Sequence, residues 1–157
     1  MVEKPLNAGS SDEEIGEWMS NLTKAQFTLG GISWASVEAL YIALRTLDIE
    51  ERMKLSELSG LEAKHRGRKL RKRNLVITQF DGRCFELGSA QHHEVVKEAI
   101  KAKLLAHPEK CAQFVATRPR AIVHDTGFPE SRFTQLPALA FCRILTELRE
   151  ELHQSVS

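Results

Sequence analysis

The chain has 157 residues and a mass of 17.7 kDa, the size of one compact domain; 42% hydrophobic and 27% charged residues exclude wholesale disorder. No apolar run approaches the ~20 residues of a membrane helix, and Met1-Val2-Glu3-Lys4-Pro5 lacks the apolar stretch of a secretion signal, so a cytoplasmic protein with no membrane partner is expected. The 22 basic and 21 acidic side chains leave a net charge of +1, so any affinity for polyanions must come from local clustering, and the scattered Cys84, Cys111 and Cys142 predict no disulfide framework.

Residues 1–14 carry Glu3, Asp12, Glu13 and Glu14 among Asn, Ser, Gly and Pro, which predicts a flexible acidic leader ahead of a domain spanning 15–157. Gln26 to Ile32 reads as a short strand with a Gly30-Gly31 turn. Val37, Leu40, Tyr41, Leu44 and Leu47 then fall at helical spacing, with Ser33 or Ser36 as the cap. Further helices are predicted over Ile49–Leu58, with Ser59-Gly60 as a break, and over Leu61 to about Arg73. Leu75–Phe80 and Arg83–Leu87 flank Asp81-Gly82, a hairpin signature. The clearest helix runs from Ala90 to Ala106, with Val96, Ala99, Ile100, Lys103 and Leu104 along one side. Pro108 opens a short helix through Ala116, and Ala121–His124 is a candidate buried strand. Asp125 to Pro137 is an irregular loop, and Ala138–His153 is an amphipathic helix presenting Phe141, Ile144, Leu145, Leu148 and Leu152. The sum is a predominantly helical α+β fold with a small sheet.

Seven of the 22 basic side chains lie within ten residues: Lys64, Arg66, Arg68, Lys69, Arg71, Lys72 and Arg73. Arginine's planar fork suits phosphate oxygens, so Arg66 or Arg68 is a candidate for a ligand phosphate. The other readings are a solvated helix face and contact with a nucleic-acid backbone, although no aromatic between Leu61 and Leu75 offers base stacking. Metal chemistry has little support. His92-His93 point to different helix faces, Pro108 interrupts the His107–Cys111 spacing, and neither Cys-x-x-Cys nor His-Glu-x-x-His occurs. No metal and no cofactor are expected.

Five segments in order resemble the NADAR superfamily of YbiA-like N-glycosidases, of which this chain would be a divergent member. They are Met19-Ser20-Asn21-Leu22 followed by Ser33-Trp34-Ala35-Ser36-Val37-Glu38-Ala39-Leu40-Tyr41; Ala63-Lys64-His65-Arg66-Gly67-Arg68; Ala99-Ile100-Lys101-Ala102-Lys103-Leu104; Phe114-Val115-Ala116-Thr117; and Ile144 to Leu152. The resemblance implies a compact helix-rich fold and hydrolysis of an N-glycosidic bond, either in phosphoribosyl-pyrimidine intermediates of riboflavin biosynthesis or in ADP-ribosylated bases. Its implied partner is a ribosyl phosphate or ADP-ribose.

Breaking a C1′–N bond spreads positive charge over the sugar, which a fixed carboxylate stabilises while a second group serves the leaving base. By the resemblance, Glu38 is that carboxylate; in a helix's first turn its ionised form is favoured. Tyr41 would hydrogen-bond the substrate, Asn21 would meet a ribose hydroxyl or base edge, and Trp34 would support the helix start or the ligand. Lys103 is a further phosphate candidate. Each also has a purely structural reading: a stabilising first-turn acid, a core tyrosine, a turn asparagine and a packed tryptophan. The family's later Trp-Gly and Gly-x-Asn steps, and its stacking tryptophan, are missing. Asp125 is the preferred second carboxylate, with Glu130 as an alternative and Phe128 or Phe133 as replacement rings; equally, Asp125 caps a turn. A catalytically silent ligand binder and a nucleic-acid-associated protein using residues 64–73 remain the rival readings.

Overall fold

The computed structural model describes residues 3–9, 11–71, 75–132 and 134–155. Among them the chain forms seven α-helices and three two-stranded sheets, a mainly helical α+β fold. They divide into two compact units, one continuous from Asn21 to Ala106 and one assembled from Met1–Ser20 and His107–Ser157.

In the continuous unit, the β2 strand (Phe27–Leu29) pairs antiparallel with β3 (Ile32–Trp34). Gly30 and Gly31, at φ +63° and +76°, make the tight turn between them. Of the two caps the sequence offers for the following helix, Ser33 lies in the sheet instead, paired across the strands with Thr28 as Trp34 is with Phe27. Helix α2 (Val37–Ala43) starts at Ser36, whose Oγ accepts the Ala39 amide at 3.1 Å. It stops short of Leu47, which is half-exposed rather than on the buried side. Helix α3 (Ile49–Ser56) is capped by Asp48, which accepts from Glu50 and Glu51. Arg52 on α3 is buried and donates to the carbonyls of Ala43 and Thr46 and to Thr78 Oγ1, satisfying backbone acceptors beyond the end of α2.

Ser59 caps helix α4 (Gly60–Arg71), so Ser59-Gly60 opens this helix rather than merely ending the one before. Its buried side is Gly60, Ala63, Gly67 and Leu70. A methyl added at Gly67 would meet Ile42 of α2 at 2.5 Å, and one at Gly60 would meet the Leu22 carbonyl oxygen at 2.1 Å. The small residues therefore permit the close approach. Strands β4 (Ile77–Phe80) and β5 (Arg83–Glu86) form the expected hairpin about Asp81-Gly82, and helix α5 (Ala90–Ala106) has the expected bounds. Its side formed by Val96, Ala99, Ile100, Lys103 and Leu104 is buried.

The other unit corrects the reading of a loosely packed leader. Leu6 and Ala8 are fully buried. Strand β1 (Leu6–Asn7) pairs in parallel with β6 (Ile122–Val123), and a short helix α1 (Glu14–Trp18) follows. The acidic residues find partners: Glu13 pairs with Arg120, Glu14 with Lys110 and Asp12 with Lys4. Helices α6 (Pro108–Val115) and α7 (Ala138–Ser155) pack together, with Phe114, Phe141, Ile144, Leu145, Leu148 and Leu152 buried. Arg149 is buried against Thr117 Oγ1 and the Arg120 carbonyl. The three cysteines are free thiols.

Candidate functional site

Helix α2 provides the most informative surface. From Ser36 to Arg45 every residue is buried except Glu38, Tyr41 and Arg45, which are half-buried. Spacings of three and four residues set these on one stripe, the first two on α2 and Arg45 just past its C-cap Leu44. The helix is thus enclosed on all sides but one, and that side presents a carboxylate, a phenol and a guanidinium.

Glu38 lies in the first turn of α2, and its backbone amide donates to the Asn21 carbonyl at 2.9 Å. This bond fixes Asn21 beside the amino end of the helix. The Asn21 side-chain Oδ1 is buried and has no hydrogen-bond partner among the described residues, an unmet acceptor whose burial is costly unless a donor arrives. Asn21, Glu38 and the helix start therefore lie together.

Tyr41 stacks on His92 of α5, with centroids 5.6 Å apart and planes 17° apart, and Phe85 of β5 stacks on the same imidazole at 6.0 Å. The Arg45 guanidinium lies over the Tyr41 ring, 5.2 Å from its centroid. His92 is fully buried, and its Nδ1 accepts the Gly88 amide at 2.9 Å. That bond leaves the proton on Nε2, which is buried without a partner among the described residues. Burial first, then the electrostatic influence of His93 and Arg45, push the His92 pKa from its ordinary 6.5 down to about 4, so the ring is neutral at neutral pH. Neither Arg45 nor His92 was picked out as a site residue from the sequence. Arg45 was legible from the helical spacing with Glu38 and Tyr41, but nothing in the order of residues pairs position 41 with 92.

The remaining candidates are placed as follows. Trp34 is fully buried, its Nε1 donates to the Leu29 carbonyl at 3.0 Å, and its ring lies 6.4 Å from Phe80; it closes the β2–β3 hairpin. Arg66 is gripped at two points by Glu51, with the Arg66 Nη2 to Glu51 Oε2 distance 2.9 Å, a pairing that raises the Arg66 pKa. Lys64, Arg68 and Lys69 are exposed on α4, the solvated-face reading; Lys72 and Arg73 lie outside the described residues, as does the Arg71 side chain. Lys103 is fully buried, and desolvation lowers its pKa from 10.5 to about 7.

Asp125 belongs to the unit built from the chain ends. It is exposed, its Oδ1 accepts the Gly127 amide at 2.9 Å, and its backbone N–H and carbonyl both bond the Asn7 side chain. This is the turn-capping arrangement. Glu130 Oε2 accepts the Ala138 amide at the start of α7, Phe128 is 81% exposed, and Phe133 lies outside the described residues. Among the described residues no group of three or more His, Cys, Asp or Glu side chains is arranged to hold a metal ion, and no helix is long and apolar enough to cross a membrane.

Residues 15–150 match the family described as bacteriophage protein GP30.3. Among solved structures, the NMR structure of the Escherichia coli protein YbiA is similar, with a TM-score of 0.71 at 20% sequence identity, covering 99% of this chain and 89% of that one. At that identity the likeness is one of fold. No curated protein matches the sequence significantly.

Proposed function

The chain belongs to the bacteriophage protein GP30.3 family, and on that premise we propose that it is a NADAR-like hydrolase, cleaving the N-glycosidic bond of a phosphorylated ribosyl or ADP-ribosyl compound. The YbiA-like fold supports this reading, as do the family-like segments in their order along the chain. The observation that carries it is the Asn21–Glu38 group. Glu38, in the first turn of α2 and on its one side that is not enclosed, is held through its backbone amide to the carbonyl of Asn21, whose own side-chain oxygen is buried and unmet.

In the proposed reaction the glycosidic bond lengthens, the bonding pair leaves with the base, and positive charge develops on C1′ and the ring oxygen. Glu38 stabilises that charge and then removes a proton from the attacking water. Asn21 Oδ1 accepts from a ribose hydroxyl, and Tyr41 orients the sugar. Glu38→Gln should retain the fold by circular dichroism yet lower turnover by ~10²-fold or more on an ADP-ribosylated base or a phosphoribosyl-pyrimidine. Unchanged turnover would remove Glu38 from the mechanism.

One observation favours a second reading, binding without cleavage: the Asp125 carboxylate is already used to cap its own turn. Calorimetry with ADP-ribose run beside a product-release assay separates the two, since heat without product would select the silent binder.

A further inference from the structure

The phosphate candidates read from the sequence are poorly placed for a ligand. Arg66 is held by Glu51, Arg68 is on the outward face of α4, and Lys103 is fully buried. A different cationic group lies about two helical turns from Glu38 on the same stripe and was assigned no role by the resemblance. Arg45 shares the half-open stripe with Glu38 and Tyr41 and has no carboxylate partner among the described residues. His93 is half-buried, its ring centroid 5.9 Å from that of His92. Exposure falls away from the surface through the stack, from half-buried Tyr41 and Arg45 to buried Phe85 and His92.

We propose that Arg45, His93 and the Nε2–H of His92 form the seat for the phosphate group of a ribosyl ligand, with Tyr41 as the floor between that seat and Glu38. The chemistry of the group selects an anion. Arg45 supplies a planar fork of donors suited to phosphate oxygens. The Gly88 amide, by occupying Nδ1, obliges His92 to present a donor at Nε2, and that donor is buried and unmet. The Arg45 charge beside His92 opposes a further proton there and is relieved by an anion. The backbone rise from Glu38 to Arg45 is about 10 Å, a span shortened by the Arg45 guanidinium lying back over the Tyr41 ring. Assigning the ligand as ribosyl rests on the hydrolase reading; the anion seat itself does not.

The test is titration of the full chain with ribose 5-phosphate, inorganic phosphate and ribose, read by the imidazole Cε1–H resonances and by calorimetry. Ribose 5-phosphate and inorganic phosphate should shift the His92 and His93 resonances. Arg45→Ala should weaken ribose 5-phosphate tenfold or more and leave ribose unchanged, and His93→Gln, at a half-buried position, should weaken it severalfold. Equal affinity in wild type and Arg45→Ala, or no response of either histidine to either phosphate, would overturn the seat and leave a water molecule as the partner of Nε2. A chain that binds through Arg45 but cleaves nothing would retire the hydrolase and retain the seat.

Discussion

His92 is an imidazole held neutral inside an aromatic sandwich, and folding carries a cost for it in acid. Its folded pKa of about 4 lies below the ordinary 6.5. Between those values the unfolded chain binds a proton that the folded chain does not, so stability rises with pH across this window and the penalty is complete below it. The shift amounts to roughly 3 kcal/mol at full protonation. Urea unfolding midpoints should therefore fall between pH 6.5 and 4.5, and His92→Phe should flatten that slope; an unchanged slope would mean the ring is not buried neutral. Lys103 acts in the same direction at higher pH, its charged form being disfavoured in the fold from about 7 up to the ordinary 10.5. At this scale the sequence was informative about local chemistry alone. Ser36 as a cap and Glu38 in the first turn follow from side chains within three positions of each other. The partners of Tyr41 and Asn21 are set by chain crossings that no local pattern encodes.

Helix α4 shows how an element's two sides have separate duties. Its basic side is solvated, while its glycine side sets how closely α2 and the Asn21-Leu22 segment approach. Gly67→Ala forces a methyl against the flexible Ile42 side chain and should cost about 1–3 kcal/mol, seen as a lower melting temperature with turnover retained. Gly60→Ala meets backbone instead, at Leu22 next to Asn21. It should lower both stability and turnover, and equal turnover in the two variants would separate α4 from the site. Most helices were legible with nearly correct ends because proline, Ser and Asp caps punctuate a clear apolar spacing, as in α5 and α6. Strand β3 was not. Its three residues directly precede a capped helix, and only the cross-strand partner Phe27 distinguishes them from a helix start. Strand β1 escaped notice for the same reason: two residues in a polar stretch become a strand only when Ile122 and Val123 lie beside them.

For the molecule as a whole, composition was a poor guide to where order begins, since charge in the first residues reflects ion pairs with Lys110 and Arg120 rather than a free tail. Leu6→Ala should destabilise the protein by about 2–5 kcal/mol, the scale for a fully buried leucine, whereas a free tail would give no change in the melting temperature. The parallel pairing of Leu6 with Ile122 also has a kinetic side. At typical synthesis rates a ribosome needs about ten seconds to travel from the first codon of that pair to the second. During that interval the chain from Asn21 onward is still being made and is only partly emerged, while Leu6 and Ala8 lack the β6 partner. The earliest of these apolar side chains to be made are thus among the last to be shielded, and a nascent chain paused before Ile122 would display them to any holding chaperone.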